Sequence, residues 1–246
     1  MALKNDIKTK VKNIVDEDLD IIDVPYVPKI GDPKLKTSNT GLLFEATTVY
    51  IEMRGSTKVL NNHNRSTVAK IRSTYLEVIC DIANENNGCV TNFTENSALI
   101  FFHGASKETL SNAVLTAMKI KFMLANEQQG IKPLIKKYID IDFGIGIDHG
   151  KNLCTRINIS SNQNLGLFWI GNAIDRATMI GRECKGPNHI GISHHVHENL
   201  KDYPKYIIRK NYSGYDEKVN MWDRTKFIYN DNYEYYYHSD GSLSID

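Results

Sequence analysis

The sequence predicts an α/β (α+β) chain, a ferredoxin-like βαββαβ sandwich with an additional strand and helix. Three observations predict it. A β-type run from Leu43 to Ile51, closed by Arg54-Gly55-Ser56, leads into a long amphipathic helix. Two short apolar runs then flank the polar tetrad Thr94-Glu95-Asn96-Ser97, as in a hairpin. After a second helix, the stretch YIDIDFGIGIDHG alternates at period two, as a half-buried strand does.

In chain order, residues 1–43 read as an N-terminal extension or strap. VPYVPKIGDPKLKTSNTG is rich in Pro, Gly and Lys and has no period. From Arg65 to Asn86, Val68, Ile71, Tyr75, Val78, Ile79 and Ile82 recur at helical spacing, and Asn86-Asn87-Gly88 stops the helix. Cys89 to Phe93 and Ala98 to His103 form the hairpin. Ser106 to Gln128 is the second helix. The period-two strand is expected to end near Gly150, with a partner from Leu153 to Ile157. Ile174 to Glu183 is a third helix, Ile190 to Ile192 a strand, and Ser193 caps the short helix HHVHENL. Tyr206 to Arg209 and Val219 to Trp222 are further strands. The predicted domain spans residues 44–222, and residues 223–246 form a Tyr-rich tail over a surface or partner.

Composition narrows the function classes. The 246 residues are 41% hydrophobic and 24% charged, which excludes wholesale disorder. Thirty basic against twenty-nine acidic residues leave a net charge of +1, unlike a general nucleic-acid binder. No apolar run reaches the ~20 residues of a membrane helix, and the first residues lack the apolar core of a signal peptide. Cys80, Cys89, Cys154 and Cys184 lie far apart with no zinc spacing, and read as reduced structural thiols. The expectation is a soluble cytoplasmic protein with neither nucleic-acid nor membrane partners.

Two acids stand where strands end: Glu52, just before Met53-Arg54-Gly55-Ser56-Thr57, and Glu95 at the hairpin tip. In a ferredoxin-like sheet the first strand lies beside the hairpin, so both carboxylates converge on one sheet edge. Such a pair suits Mg²⁺ or Mn²⁺, which take oxygen ligands. The following Gly-containing turn offers amides and hydroxyls to a phosphate. Taken singly, each Glu reads as a solvated turn residue.

These residues resemble the class III nucleotidyl cyclases, the adenylate and guanylate cyclase homology domain, over roughly residues 44–222. Tyr50-Ile51-Glu52-Met53-Arg54-Gly55-Ser56-Thr57 is similar to that family's F-A-D-I-R-G-F/S-T. Asn92 to Phe102 resembles T-I-G-D-G-hairpin-F, and Phe143-Gly144-Ile145-Gly146-Ile147-Asp148-His149-Gly150 resembles R-x-G-I-H-x-G. Gly171-Asn172-Ala173-Ile174-Asp175-Arg176-Ala177-Thr178 resembles G-x-x-V-N-x-A-x. The resemblance implies a homodimer with head-to-tail sites between protomers. Glu52, Glu95 and the Met53 carbonyl would hold two divalent ions, Mn or Mg. Arg54, Gly55, Ser56 and Thr57 would hold the phosphates of a nucleoside triphosphate.

This chain departs from the family pattern at four points. Glutamates replace both metal aspartates. Asp175 stands for the ribose-contacting Asn, and accepts but does not donate a hydrogen bond. Met179 stands where the family has its transition-state arginine, with Arg176 one turn earlier and Arg182 a turn later as the candidate substitutes. Thr91 and Phe168 occupy the base-reading positions and match neither purine pattern. A hydroxyl and an aromatic ring suit a pyrimidine, as in the pyrimidine cyclases of bacterial antiphage (Pycsar) signalling. The implied activity is therefore conversion of UTP or CTP to a cyclic nucleotide read by a separate effector. The alternatives are a catalytically degenerate cyclase-like domain that binds nucleotide or only dimerises, and a purine cyclase.

Other signals are set aside. His194-His195-Val196-His197 lacks a further ligand at metal spacing and reads as a solvated helix end. Gly144-x-Gly146 falls inside a strand and is no dinucleotide fingerprint. Tyr233 to Tyr237 with Trp222 read as packing or interface, and Lys151, Arg182 and Lys185 as surface charges.

Overall fold

The computed structural model describes residues 2–35, 39–94, 96–157 and 166–245. Helix α1 (Ala2–Asp16) and strand β1 (Asp20–Asp23) precede the strap. Strand β2 (Thr40–Met53) is followed by α2 (Ser56–Asn62) and α3 (Arg65–Glu85). The hairpin β3 (Cys89–Phe93) and β4 (Ser97–His103) leads to α4 (Lys107–Ala125) and a short α5 (Lys132–Ile135). Strands β5 (Phe143–Ile157) and β6 (Gly166–Ile170) precede α6 (Asn172–Glu183), β7 (Ile190–Ser193) and α7 (His194–Glu198). Last come α8 (Asp202–Lys205), the separate hairpin β8 (Tyr206–Lys210) and β9 (Asp216–Asn220), then β10 (Asp223–Tyr229) and β11 (Asn232–Ser239).

The main sheet runs β10-β11-β7-β5-β2-β4-β3, with β1 beside β2 and β6 beside β5. β2 is central, antiparallel to both β4 and β5. It is buried on both faces, which explains why it reads as an apolar run rather than an alternation. On one face Val49, Ile51 and Met53 meet Val68, Ile71, Tyr75 and Ile79 of α3 and Leu110, Val114 and Met118 of α4. Side-chain caps start both helices: Asn64 accepts from the Thr67 amide, and Ser106 from the Thr109 amide.

The opposite face is covered by α6 and the strap. Val24, Val27 and Leu35 are buried with Leu42, Phe44, Tyr50 and Phe101. Helix α6 lies so close to β5 that a Cβ at Gly146 would fall 1.9 Å from the Ala177 carbonyl oxygen. The Gly144-x-Gly146 pair therefore serves helix-on-strand approach.

The expected βαββαβ order is present, with three differences. β5 is one continuous strand through Gly150, because it pairs with β2 from Met53 to Gly41; its antiparallel partner is β6. The residues expected as a C-terminal tail instead extend the main sheet. Buried Phe227, Tyr229 and Tyr236 on β10 and β11 pack against Ile180 and Cys184 of α6 and its C-cap. His197 of the HHVH cluster is buried and stacks on Tyr237 at 3.8 Å, so it is a packing residue rather than a solvated one. All four cysteines are free. Among the described residues no helix is long and apolar enough to cross a membrane.

Candidate active site

Glu52 pairs with Ser97 of β4 and Gly144 of β5, at the end of the central strand. Alternation turns its side chain away from the α3–α4 core that takes Ile51 and Met53, and the carboxylate is partly exposed. Asn96, at the hairpin tip, donates its side-chain amide to Glu52 Oε1 and to the Met53 carbonyl, each at 3.2 Å. The other carboxylate oxygen faces Arg182 Nε at 3.6 Å, and Arg182 is itself well exposed. Tyr50 sits below; burial and the nearby Glu52 charge raise its phenol pKa.

The Glu52 carboxylate and the Met53 carbonyl, both accepting from Asn96, are hard oxygen donors of the kind Mg²⁺ or Mn²⁺ takes. The Arg182 contact is long and solvent-exposed, so a cation displaces it at little cost. Glu95, the expected second ligand, lies outside the described residues. Among the described residues no three His, Cys, Asp or Glu side chains are grouped to hold a metal ion.

Gly55 adopts φ 70°, a left-handed turn into α2 that favours glycine. As at any helix start, the first amides, at Ser56 and Thr57, have no intrahelical partner. A cleft of about 480 Å³ adjoins this turn and carries Lys58, His63 and Lys136. Arg54, expected among the phosphate contacts, is engaged within the fold. Its amide donates to the Asp142 carbonyl at 2.8 Å, and its guanidinium is spent on the end of α6. It donates to the carbonyls of Gly181, Arg182 and Cys184. A cation at a helix C-terminus satisfies orphan carbonyls and the negative dipole end.

Arg176 is engaged in the same way. Its guanidinium is locked by Asp148 Oδ2 at 2.9 Å and both Glu234 oxygens at 2.9 and 3.2 Å, over the Tyr229 ring at 4.4 Å. It ties α6 to β5 and to the C-terminal hairpin and is not free to reach a phosphoryl group. Asp175 and Met179 stand exposed, one turn apart on the outer side of α6, with Arg182 next along the same side.

Thr91 is the bulged residue of β3, and its hydroxyl donates to the Leu99 carbonyl at 3.3 Å. It lines a cavity of about 710 Å³ between the sheet and the strap, with Phe101, Leu167 and Trp169. Phe168 does not join it there. Strand alternation sends Leu167 and Trp169 to that cavity and leaves Phe168 half exposed on the other side of β6. Sequence reasoning missed Asn96 and Trp169. Both were findable: Asn96 neighbours the acid at the hairpin tip, and period two puts Trp169 with Leu167.

No family model matches the chain. It is 29% identical over 226 residues to a uridylate cyclase of Burkholderia cepacia, covering 90% of this chain and 91% of that protein. It is 25% identical to a uridylate cyclase of Treponema porcinum, covering 96% of this chain and 77% of that one. Its fold is similar to that of the guanylyl cyclase Cya2, with TM-score 0.64 and 16% identity over 82% of this chain and 94% of that one. In sequence the chain resembles uridylate cyclases over most of its length, and its fold is that of the class III cyclase domains.

Proposed function

We propose that this chain is a pyrimidine nucleotidyl cyclase, converting UTP or CTP to the 3′,5′-cyclic monophosphate with release of pyrophosphate. One observation carries the reading: Glu52 ends the central strand, oriented by Asn96 and followed by the left-handed Gly55 turn. The likeness to uridylate cyclases over nine-tenths of the chain supports it.

Glu52, the Met53 carbonyl and Glu95 would hold two Mg²⁺ or Mn²⁺ ions. When bound, such ions neutralise the triphosphate and acidify the ribose 3′-hydroxyl. The protein's own groups do the rest. Asn96 keeps the Glu52 carboxylate aimed, while the Gly55, Ser56 and Thr57 amides and hydroxyls orient the phosphates. Lys58 and Lys136 line the adjoining cleft together with Asp140 and Asp142. Asp175 accepts a hydrogen bond from a ribose hydroxyl, and Thr91 addresses the base from the sheet. The exposed outer side of α6 suits a head-to-tail homodimer in which Asp175 and the base contacts of one protomer meet the carboxylates of the other. In the cell the product serves antiphage defence as a cytoplasmic second messenger, read by a separate cyclic-nucleotide-responsive effector.

Incubation of the pure protein with each ribonucleoside triphosphate and Mn²⁺ or Mg²⁺, followed by product separation, tests the reading. A cyclic pyrimidine product is expected. A cyclic purine product alone would replace the substrate class, and no product with any metal would leave a binding domain. That second reading has one observation in its favour: Met179 is exposed where the family places a guanidinium, and Arg176 is already engaged.

A further inference from the structure

Helix α1 carries a packing face that meets no core cluster among the described residues. Leu3, Ile7, Val11, Ile14 and Val15 recur at spacings of three and four, so they share one side of the helix. All five are exposed, from 51% at Ile7 to 76% at Ile14. None belongs to the clusters that hold the sheet and its other helices together. A 15-residue helix is marginal in water without tertiary support. A continuous exposed apolar stripe marks a contact surface.

The charges around the stripe name its occupant. Residues 4–12 carry Lys4, Lys8, Lys10 and Lys12 against Asp6. Residues 13–23 carry Asp16, Glu17, Asp18, Asp20 and Asp23 and no basic residue. The segment is basic at one end and acidic at the other, so it is complementary to its own reverse. An anionic bilayer would attract the first half and repel the second. A parallel copy would set lysines against lysines and acids against acids. An antiparallel copy instead brings Lys4 and Lys8 near Asp16, Glu17 and Asp18 of the second chain. Lys10, near the middle, is already paired with Asp6 of its own helix at 3.0 Å. With Val11 at the midpoint, Ile7 of one helix opposes Val15 of the other and Val11 opposes itself, as two-fold symmetry requires.

We propose that α1 is an association helix, paired antiparallel with α1 of a second copy of this chain about a two-fold axis through Val11. Strand β1, which follows α1, pairs with β2 at Thr40 to Leu43, the end of that strand opposite Glu52. The contact is therefore separate from the candidate site and does not rest on the cyclase reading.

Cysteine cross-linking of the full chain under mild oxidation tests it. The antiparallel geometry brings only the midpoint against itself, within the ~4.4–6.8 Å Cα separation that a disulfide spans. The two Leu3 positions then stand about 24 Å apart, at ~1.5 Å of rise per residue. Val11→Cys should form a covalent dimer. Leu3→Cys should not rise above the unaltered protein, which sets the background from Cys80 and Cys89. Lys4→Glu with Lys8→Glu should remove most of the Val11→Cys cross-link, and adding Asp16→Lys with Glu17→Lys should restore it. A Leu3→Cys dimer as strong as the Val11→Cys one would mean a parallel pair, and no Val11→Cys dimer would mean no pair; either result overturns the inference. A Val11→Cys cross-link that charge reversal leaves untouched overturns it as well. Every substituted side chain is exposed, so none of these outcomes reflects unfolding of the core.

Discussion

The two faces of the sheet are built on different principles. Against α3 and α4 the sheet buries an almost wholly aliphatic layer, from Val49 and Ile51 to Ile79 and Val114. Against α6 and the strap it carries charges in specific contacts: Arg176 between Asp148 and Glu234, Arg54 on the end of α6, and Glu52 between Asn96 and Arg182. It also leaves the cavity at Thr91. The first face holds the fold together and the second carries the candidate site. Substitutions should therefore separate stability from activity according to face.

The largest separation is expected at Glu52. Glu52→Gln keeps the Asn96 hydrogen bond and nearly the same volume but removes the charge. Turnover should fall by at least about a thousandfold, ~4 kcal/mol in the barrier, with the thermal midpoint little changed. Comparable loss of both would erase the contrast between the faces.

At Arg176 the expected loss is in stability. Asp148 is 1% exposed, so Arg176→Met strands a buried carboxylate. Denaturant unfolding should show a cost of about 3–5 kcal/mol, and adding Asp148→Asn should recover part of it. On the apolar face Ile79→Ala should cost about 2–4 kcal/mol by leaving a cavity. Activity per folded molecule should stay near that of the unaltered protein.

The smallest effect is in pH. Burial lowers the pKa of His149, His189 and His197 below the usual imidazole value. Below that value the unfolded chain binds more protons than the folded one, so stability is full above about pH 6.5 and falls as pH drops beneath it. Urea unfolding at pH 7.5, 6.5 and 5.5 should show that decline. His189→Gln should shallow it, and a flat profile would mean the imidazoles are not held neutral.

The apolar face was the legible one. The spacing of Val68, Ile71, Tyr75, Ile79 and Ile82 follows directly from one buried helix stripe, and the predicted helix over Arg65 to Asn86 ends within a residue of the observed one. The site was legible only in part. Glu52 and the Gly55 turn are local features at a strand end. The engagement of Arg54 and Arg176 is not local: their partners lie far along the chain, on β5, α6 and β11, and no spacing reveals them. Phe168 lies on the other side of β6 from the Thr91 cavity, which a motif position alone does not say. The Tyr-rich segment read as a tail because two of its five tyrosines, Tyr233 and Tyr235, face solvent. The other three, Tyr229, Tyr236 and Tyr237, pack inward, and the segment is sheet.

The central claim is that the Glu52 end of the sheet grips divalent cations beside a triphosphate. Electron paramagnetic resonance of Mn²⁺, titrated with the protein and a non-cyclisable 3′-deoxy UTP, measures that directly. The account predicts that the free-ion signal falls with the unaltered protein and persists with Glu52→Gln. Equal uptake of Mn²⁺ by the two proteins would contradict it.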